Sequence, residues 1–381
     1  MNDRKVVIEG SRAIAEAVAL CDVKVIAAYP ITPQTHIVEA LARMHANGEI
    51  DCEFVNTEAE FSSISLILGA TAAGVRSFTA TSSQGLALMH EVLFAAAGLR
   101  IPLVMVVVNR ALSAPINIWN DHQDSVSQRD TGWIQIYCES VQEAVDSVIQ
   151  AYKIAEECLL PTMVCIDGFY LTHVYEPVSI PSKEKVERFL PKFDPKYKLD
   201  PEKPLTFGAL AFPKDYARIR KQLQKAALRS KEVVGRVNRE FHSIFGRKYG
   251  NGMVETYGSG ETAIIAAGSV CGTIKHFIEH ENKKLSLVRI RLFRPFPRRE
   301  IREALEDKES VIVIDRSVSL GNAGTLFTEV RDVLYEMDKR PKVTNFILGL
   351  GGVDVTRKTL RYVIEKHGKV SSGHVEIVEG D

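Results

Sequence analysis

The chain has 381 residues, which at about 100–200 residues per domain makes two domains, or three. Its 45% hydrophobic and 25% charged content excludes intrinsic disorder and fibrous architecture. Lys+Arg and Asp+Glu both total 48, a balance that argues against a surface given over wholly to nucleic acid or anionic membrane.

In chain order, MNDRKVVIEG has too short an apolar stretch for a signal peptide. No apolar run reaches the roughly 18 residues that span a bilayer, so a cytoplasmic location with no membrane partner is expected. From Lys24 to about Asp167, short apolar runs alternate with amphipathic stretches. Strands are predicted at 25–29, 52–55, 77–81, 103–108 and 162–166, with helices at 34–47, 58–74, 84–98 and 141–157. Near-continuous apolar strands separated by helices imply a parallel sheet covered on both faces, and so an α/β fold.

Residues 175–213 are proline-rich and aperiodic, as in a linker or wrapping arm. A basic helical segment follows from Lys214 to about Phe245. It suits an RNA patch or, more simply, a solvated helix face. A second alternating block begins after Gly250, with strands at 263–267, 285–292, 310–315 and 343–348. Helices at 272–280, 298–306, 322–337 and 356–367 separate them, giving a second, smaller parallel α/β unit. The six cysteines, Cys21, Cys52, Cys138, Cys158, Cys165 and Cys271, form no C-x-x-C pair and read as reduced core residues.

Ligands of open parallel sheets gather at the carboxyl ends of the strands. The loops placed there are 29–33, 56–58, 81–85 and the long 109–133 segment. No P-loop, opening G-x-G-x-x-G or G-x-S-x-G elbow occurs among them. Glu58 is either a carboxylate favoured by a helix N-terminus or an acid poised for proton transfer. Arg110 suits recognition of a small carboxylate, or a loop-bracing pair with Asp121 or Asp124. His122, flanked by acids, reads as a hydrogen-bonded loop organiser.

Tyr29-Pro-Ile-Thr-Pro33, Thr57-Glu58-Ala59, Ser83-Gln-Gly-Leu86, Asn109-Arg-Ala-Leu-Ser-Ala-Pro115 and Asn120-Asp-His-Gln-Asp124 resemble the α subunit of 2-oxoacid:ferredoxin oxidoreductases. The multi-subunit pyruvate form is the most similar. The resemblance continues through Leu292-Phe-Arg-Pro-Phe-Pro297, Asp315-Arg-Ser-Val-Ser-Leu-Gly321 and Leu350-Gly-Gly-Val-Asp354, and so covers essentially the whole chain. It implies a pyrimidine-type, thiamine-diphosphate-binding parallel-sheet domain over 1–174. A linker with the basic helix would span 175–249, and a smaller transketolase C-terminal-like α/β domain 250–381.

The resemblance further implies that a separate β subunit holds the diphosphate and Mg²⁺ through a GDG…NN motif; this sequence contains neither element, and no metal ligand is assigned to it. Gamma and delta subunits, [4Fe–4S] clusters on partner chains, ferredoxin as electron acceptor and coenzyme A as co-substrate complete the implied enzyme. By matching position, Glu58 hydrogen-bonds the pyrimidine ring nitrogen and favours its imino tautomer, with Glu60 the next carboxylate to test. Thr32 and Arg110 hold the substrate's oxo group and carboxylate, and Ser82, Ser83, Gln84 and Gly85 line the cofactor pocket. The implied reaction is reversible oxidative decarboxylation of pyruvate to acetyl-CoA and CO₂. The intact 29–33 motif and the Arg110 loop favour pyruvate over 2-oxoglutarate, branched-chain 2-oxoacids or oxalate. A non-redox thiamine-dependent component is the alternative enzyme.

Overall fold

The structure is a computed structural model that describes residues 3–281 and 284–380. The chain begins with β1 (Arg4–Glu9), α1 (Gly10–Leu20), β2 (Val25–Ala28), α2 (Thr35–Ala46), β3 (Glu53–Asn56), α3 (Glu60–Ala72) and β4 (Ser77–Thr81). Next come α4 (Ser83–Leu88), α5 (His90–Leu99), β5 (Val104–Asn109), α6 (Gln123–Val126), β6 (Ile134–Tyr137), α7 (Val141–Cys158) and β7 (Thr162–Asp167). The middle region holds β8 (Tyr175–Ile180), α8 (Lys183–Phe189) and the long α9 (Pro213–Phe245). The remainder is β9 (Val254–Gly258), β10 (Thr262–Ala266), α10 (Val270–His280), β11 (Leu285–Ile290), β12 (Leu292–Arg294), α11 (Arg298–Leu305), β13 (Ser310–Asp315), α12 (Thr325–Tyr335), β14 (Lys342–Ile347), α13 (Arg357–Lys369) and β15 (Val375–Ile377).

The first sheet runs β12-β6-β7-β5-β4-β2-β3, parallel except where β12 meets β6. Strands β4 to β7 are buried along their whole length, because helices cover both faces. That double cover explains their unbroken apolar runs. The second sheet runs β15-β14-β13-β10-β11-β9 and is mixed, not purely parallel, because β9 lies antiparallel to β11. No described helix is long and apolar enough to cross a membrane.

Three local expectations change. The single strand predicted at 285–292 divides at Arg291: β11 stays in the second sheet and β12 crosses to pair with β6. The helix predicted at 84–98 is two, meeting at Met89. The 175–213 arm is partly regular, since β8 pairs antiparallel with β1 and α8 follows. The basic helix forms as α9, with Pro213 in its first turn and Gly246 at φ 76° ending it. Its apolar stripe, including Val234, Val237, Phe241 and Phe245, is buried, with Phe241 edge-on to Phe189 of α8 at 5.3 Å between ring centroids. Two of its charged side chains, Arg236 and Glu240, pair back onto Glu157 and Lys153 of α7.

Charge joins the two sheets. Glu143 of α7 is 1% exposed and accepts from Arg291 Nε at 2.8 Å and from Arg289. Arg291 also donates to Gly252 O and Ser147 Oγ, both at 2.9 Å. Burial pushes the Glu143 carboxyl up, but the two guanidinium groups outweigh it and hold the group below its ordinary value. Breaking a buried pair leaves an uncompensated charge, at a cost of about 3–5 kcal/mol. Glu143→Ala should therefore lower the melting temperature sharply, whereas Arg298→Ala, at an exposed pair with Asp332, should change it little. Equal melting curves for the two variants would show that the network adds no stability.

Candidate active site

The carboxyl ends of β2, β4 and β5 hold one connected cluster. Gln34, fully buried, donates to Ala80 O at 2.6 Å and accepts from Ile31 N at 3.3 Å, which ties the 29–34 loop to β4. Thr32 is exposed, and its carbonyl accepts from Arg110 Nη1 at 2.9 Å. Arg110, 7% exposed, also donates Nε–H to Asn117 O at 3.0 Å. Among the described residues its guanidinium makes no salt bridge, so it braces the loops through carbonyls and not through Asp121 or Asp124. No hydrogen bond from Nη2 accompanies these two among the described residues.

Asp124 is the organiser. Its Oδ2 accepts the backbone N–H of Ser83 at 2.9 Å and of Arg110 at 3.0 Å, while Oδ1 accepts from Asn109 Nδ2 at 2.8 Å. Burial pushes this carboxyl up to about 6, against the donated hydrogen bonds that favour its charged form. One side chain thereby joins the 82–85 turn to the Arg110 loop. Asp121 accepts from the backbone of Gln123 at 2.9 Å and of Gly351 at 3.3 Å. His122 is no free base: its Nε2 meets Asp167 Oδ1 at 2.7 Å, and Asp167 Oδ2 also accepts from Arg316 Nη1 at 2.9 Å. This buried cluster joins β7 to the loop after β13.

The 82–85 turn forms the floor. Ser83 sits at φ 48°, a left-handed conformation held by its N–H bond to Asp124 and by its hydroxyl, which reaches Ala111 O and Gln84. Gly85 is required by contact: a Cβ there would lie 2.5 Å from both Glu60 Oε1 and Thr81 Oγ1. Thr81 Oγ1 and Ser82 Oγ are buried without a hydrogen-bond partner. Unpaired buried hydroxyls cost stability and are retained where something else meets them.

The carboxylate at this floor is Glu60, 7% exposed, on the first residue of α3. Glu58 is exposed, turned to Ser62, and held below its ordinary value first by that hydroxyl and then by its own backbone N–H. The reason is the helix start. Ala59 is extended, at φ −159° and ψ 161°, so residues 58 and 60 project differently, and only the latter enters the helix beside Gly85. Within this chain the buried carboxylate beside Gly85 is Glu60, while Glu58 faces outward. Asp124 and Thr81 were not singled out as site residues. No local pattern marks them, since their roles depend on which loops meet.

Residues 16–239 match the family model described as pyruvate flavodoxin/ferredoxin oxidoreductase, thiamine diP-bdg, and residues 260–360 match pyruvate:ferredoxin oxidoreductase core domain II. The chain is 53% identical to pyruvate synthase subunit PorA of Methanocaldococcus jannaschii, over 98% of this chain and 96% of that one. It is 45% identical to ketoisovalerate oxidoreductase subunit VorA of Pyrococcus abyssi, over 96% of this chain and 94% of that one. In fold it matches the structure of the 2-oxoglutarate:ferredoxin oxidoreductase from Magnetococcus marinus with a TM-score of 0.72 at 19% identity, covering 96% of this chain and 65% of that one. Matched by family models over 16–239 and 260–360 and by a relative 53% identical over nearly its whole length, the chain belongs to the pyruvate:ferredoxin oxidoreductase family.

Proposed function

We propose that this chain is the α subunit of a multi-subunit pyruvate:ferredoxin oxidoreductase and supplies the aminopyrimidine half of a thiamine diphosphate site. The observation that carries this is the floor beside Gly85, where the buried Glu60 carboxylate and the partnerless Thr81 hydroxyl meet at a glycine, with a second partnerless hydroxyl on the adjacent Ser82. That set fits a flat heteroaromatic ring bearing donors and acceptors. The cofactor, once bound, supplies a nucleophilic carbon and an electron sink for loss of CO₂.

The protein's part is position and proton control. Glu60 holds a proton against the ring nitrogen, and Thr81 and Ser82 offer their hydroxyls to the ring's polar edge. Ser83, Gln84 and Gly85 set the turn that positions these hydroxyls. Arg110 meets the substrate carboxylate, and the exposed Thr32, whose carbonyl Arg110 already holds, meets its oxo group. Coenzyme A would take up the acyl group, and [4Fe–4S] clusters held by partner chains would carry the electrons to ferredoxin. The reaction is reversible in the direction of pyruvate synthesis. Pyruvate is the preferred reading, with a branched-chain 2-oxoacid second because of the VorA relative.

The diphosphate and Mg²⁺ fall to a β subunit, with gamma and delta subunits completing a cytoplasmic enzyme. The outer face of α3–α5 supports such a neighbour. Phe61 is 41%, Leu88 51% and Phe94 38% exposed there, and the helical glycines Gly69 and Gly98 have open space before them. Glycine inside a helix costs about 1 kcal/mol relative to alanine, a cost offset where another chain comes close. The working division is 1–174 for the pyrimidine domain, 175–249 for the arm and 250–381 for the transketolase C-terminal-like domain. The isolated chain should bind thiamine diphosphate and Mg²⁺ weakly and show no pyruvate-dependent ferredoxin reduction. Co-expression with its partner chains should restore both. Calorimetric titration that finds tight stoichiometric binding by the chain alone would overturn the half-site reading.

A further inference from the structure

Outside this rim, the described residues hold one group of three histidine or carboxylate side chains whose ligand atoms converge: Glu9, His36 and His173, all within 4.8 Å of one another. We propose that these three residues form a binding site for a zinc-class divalent transition-metal ion, stapling three segments beside the substrate loop. Glu9 is the residue before α1, His36 lies in the first turn of α2, and His173 lies in the segment between β7 and β8. The ligands come from three distant stretches, which is why no spaced sequence motif announces them.

The geometry is that of a ligand set with supporting contacts. Glu9 Oε1 lies 2.6 Å from His36 Nδ1, and the rings of His36 and His173 lie 4.5 Å apart between centroids. The hydroxyl of Thr172, fully buried, meets His173 Nδ1 at 2.7 Å. The same oxygen accepts the backbone N–H of Phe169 at 2.9 Å, and the Thr172 carbonyl accepts from Ser11 N at 2.9 Å. With Nδ1 held, Nε2 of His173 is the nitrogen left to ligate, the usual way a neighbouring group orients a metal-bound imidazole. The Phe169 ring, on a backbone with φ 63°, packs 4.8 Å from the other side of His173.

Two imidazoles and a carboxylate suit Zn²⁺, which takes nitrogen and oxygen ligands at about 2.0–2.2 Å and accepts three protein ligands with water in the fourth position. Ligands that close to one ion lie roughly 3.3 Å apart, so on binding the 2.6 Å Glu9–His36 contact opens while any wider separation, up to 4.8 Å, closes. Glu9 and His36 are 21% and 46% exposed and have room to move. The site touches function through the backbone. His36 follows the Thr32 loop by one turn, and Gly168 approaches Pro33 so closely that a Cβ there would lie 2.7 Å from Pro33 Cγ. Occupancy ties that loop to α1 and to the segment after β7.

The test uses the full-length chain stripped of metal and titrated with Zn²⁺ against a chromophoric chelator, with Co²⁺ absorption as a report on coordination geometry. One Zn²⁺ per chain is expected, with a raised melting temperature. His36→Gln and His173→Gln should each weaken binding roughly tenfold or more and abolish the thermal shift. His36 is 46% exposed, so His36→Gln should leave the metal-free melting temperature near wild type, and the thermal shift of each variant is read against its own metal-free melting temperature. Cys52, 3.9 Å from His45, is the competing thiol–imidazole pair, so Cys52→Ser should keep the binding. Unchanged affinity in both histidine variants, loss of binding in Cys52→Ser, or no Zn²⁺ binding at all would reduce the cluster to a Glu9–His36 ion pair.

Discussion

Glu60→Gln should leave subunit assembly intact and slow exchange of the C2 proton of bound thiamine diphosphate by about two to four orders of magnitude, while Glu58→Gln exchanges near the wild-type rate. A positioned general acid–base group contributes about 10²–10⁴-fold. Glutamine keeps the volume beside Gly85 but cannot hold or release a proton at the ring nitrogen. Gly85→Ala should mimic part of the loss, because its Cβ would stand 2.5 Å from Glu60 Oε1 and drive that carboxylate aside. The measurement is hydrogen–deuterium exchange by quenched-flow NMR on the assembled enzyme. The opposite ranking, with Glu58→Gln slow and Glu60→Gln normal, would return the role to the exposed residue. It would also require a partner chain to bury it.

Arg110→Met should lower kcat/KM for pyruvate by about two orders of magnitude or more, with Arg110→Lys between that variant and wild type. A hydrogen bond to a charged group is worth about 1.5–3 kcal/mol, a factor of roughly ten to a hundred and fifty. Methionine loses more than the substrate contact, because Arg110 also holds the carbonyls of Thr32 and Asn117. Lysine keeps the charge but reaches only one partner at a time. Steady-state kinetics and melting curves separate the two contributions. A variant that melts normally and has a raised KM has lost carboxylate binding. If Arg110→Met instead melts early while the surviving fraction keeps a normal pyruvate KM, the arginine only braces its loops.

The α/β class, the alternation of strands and helices and the rim loops of the first sheet were legible in the linear pattern. Apolar runs such as Leu103–Val108 and Thr162–Ile166 are buried on both faces wherever they sit, so the reading needed no knowledge of neighbours. The 29–33, 82–85 and 109–124 motifs pointed to the family by resemblance, and each follows its strand directly, which places them on one rim of the sheet. By contrast, the helix predicted from residue 58 begins at Glu60, so in this chain Glu58 is exposed before the extended Ala59 and Glu60 is buried beside Gly85.

Composition and local periodicity by themselves therefore determined the class, the order of elements and the edge of the sheet where chemistry gathers. Tertiary structure alone decided which carboxylate faces Gly85, that Asp124 joins two loops and that β12 leaves its own sheet for β6. It also decided that Glu9, His36 and His173 meet. Each of these depends on groups far apart in the chain whose burial and hydrogen bonding are settled only once the sheets have packed, and sequence spacing carries no record of such distances.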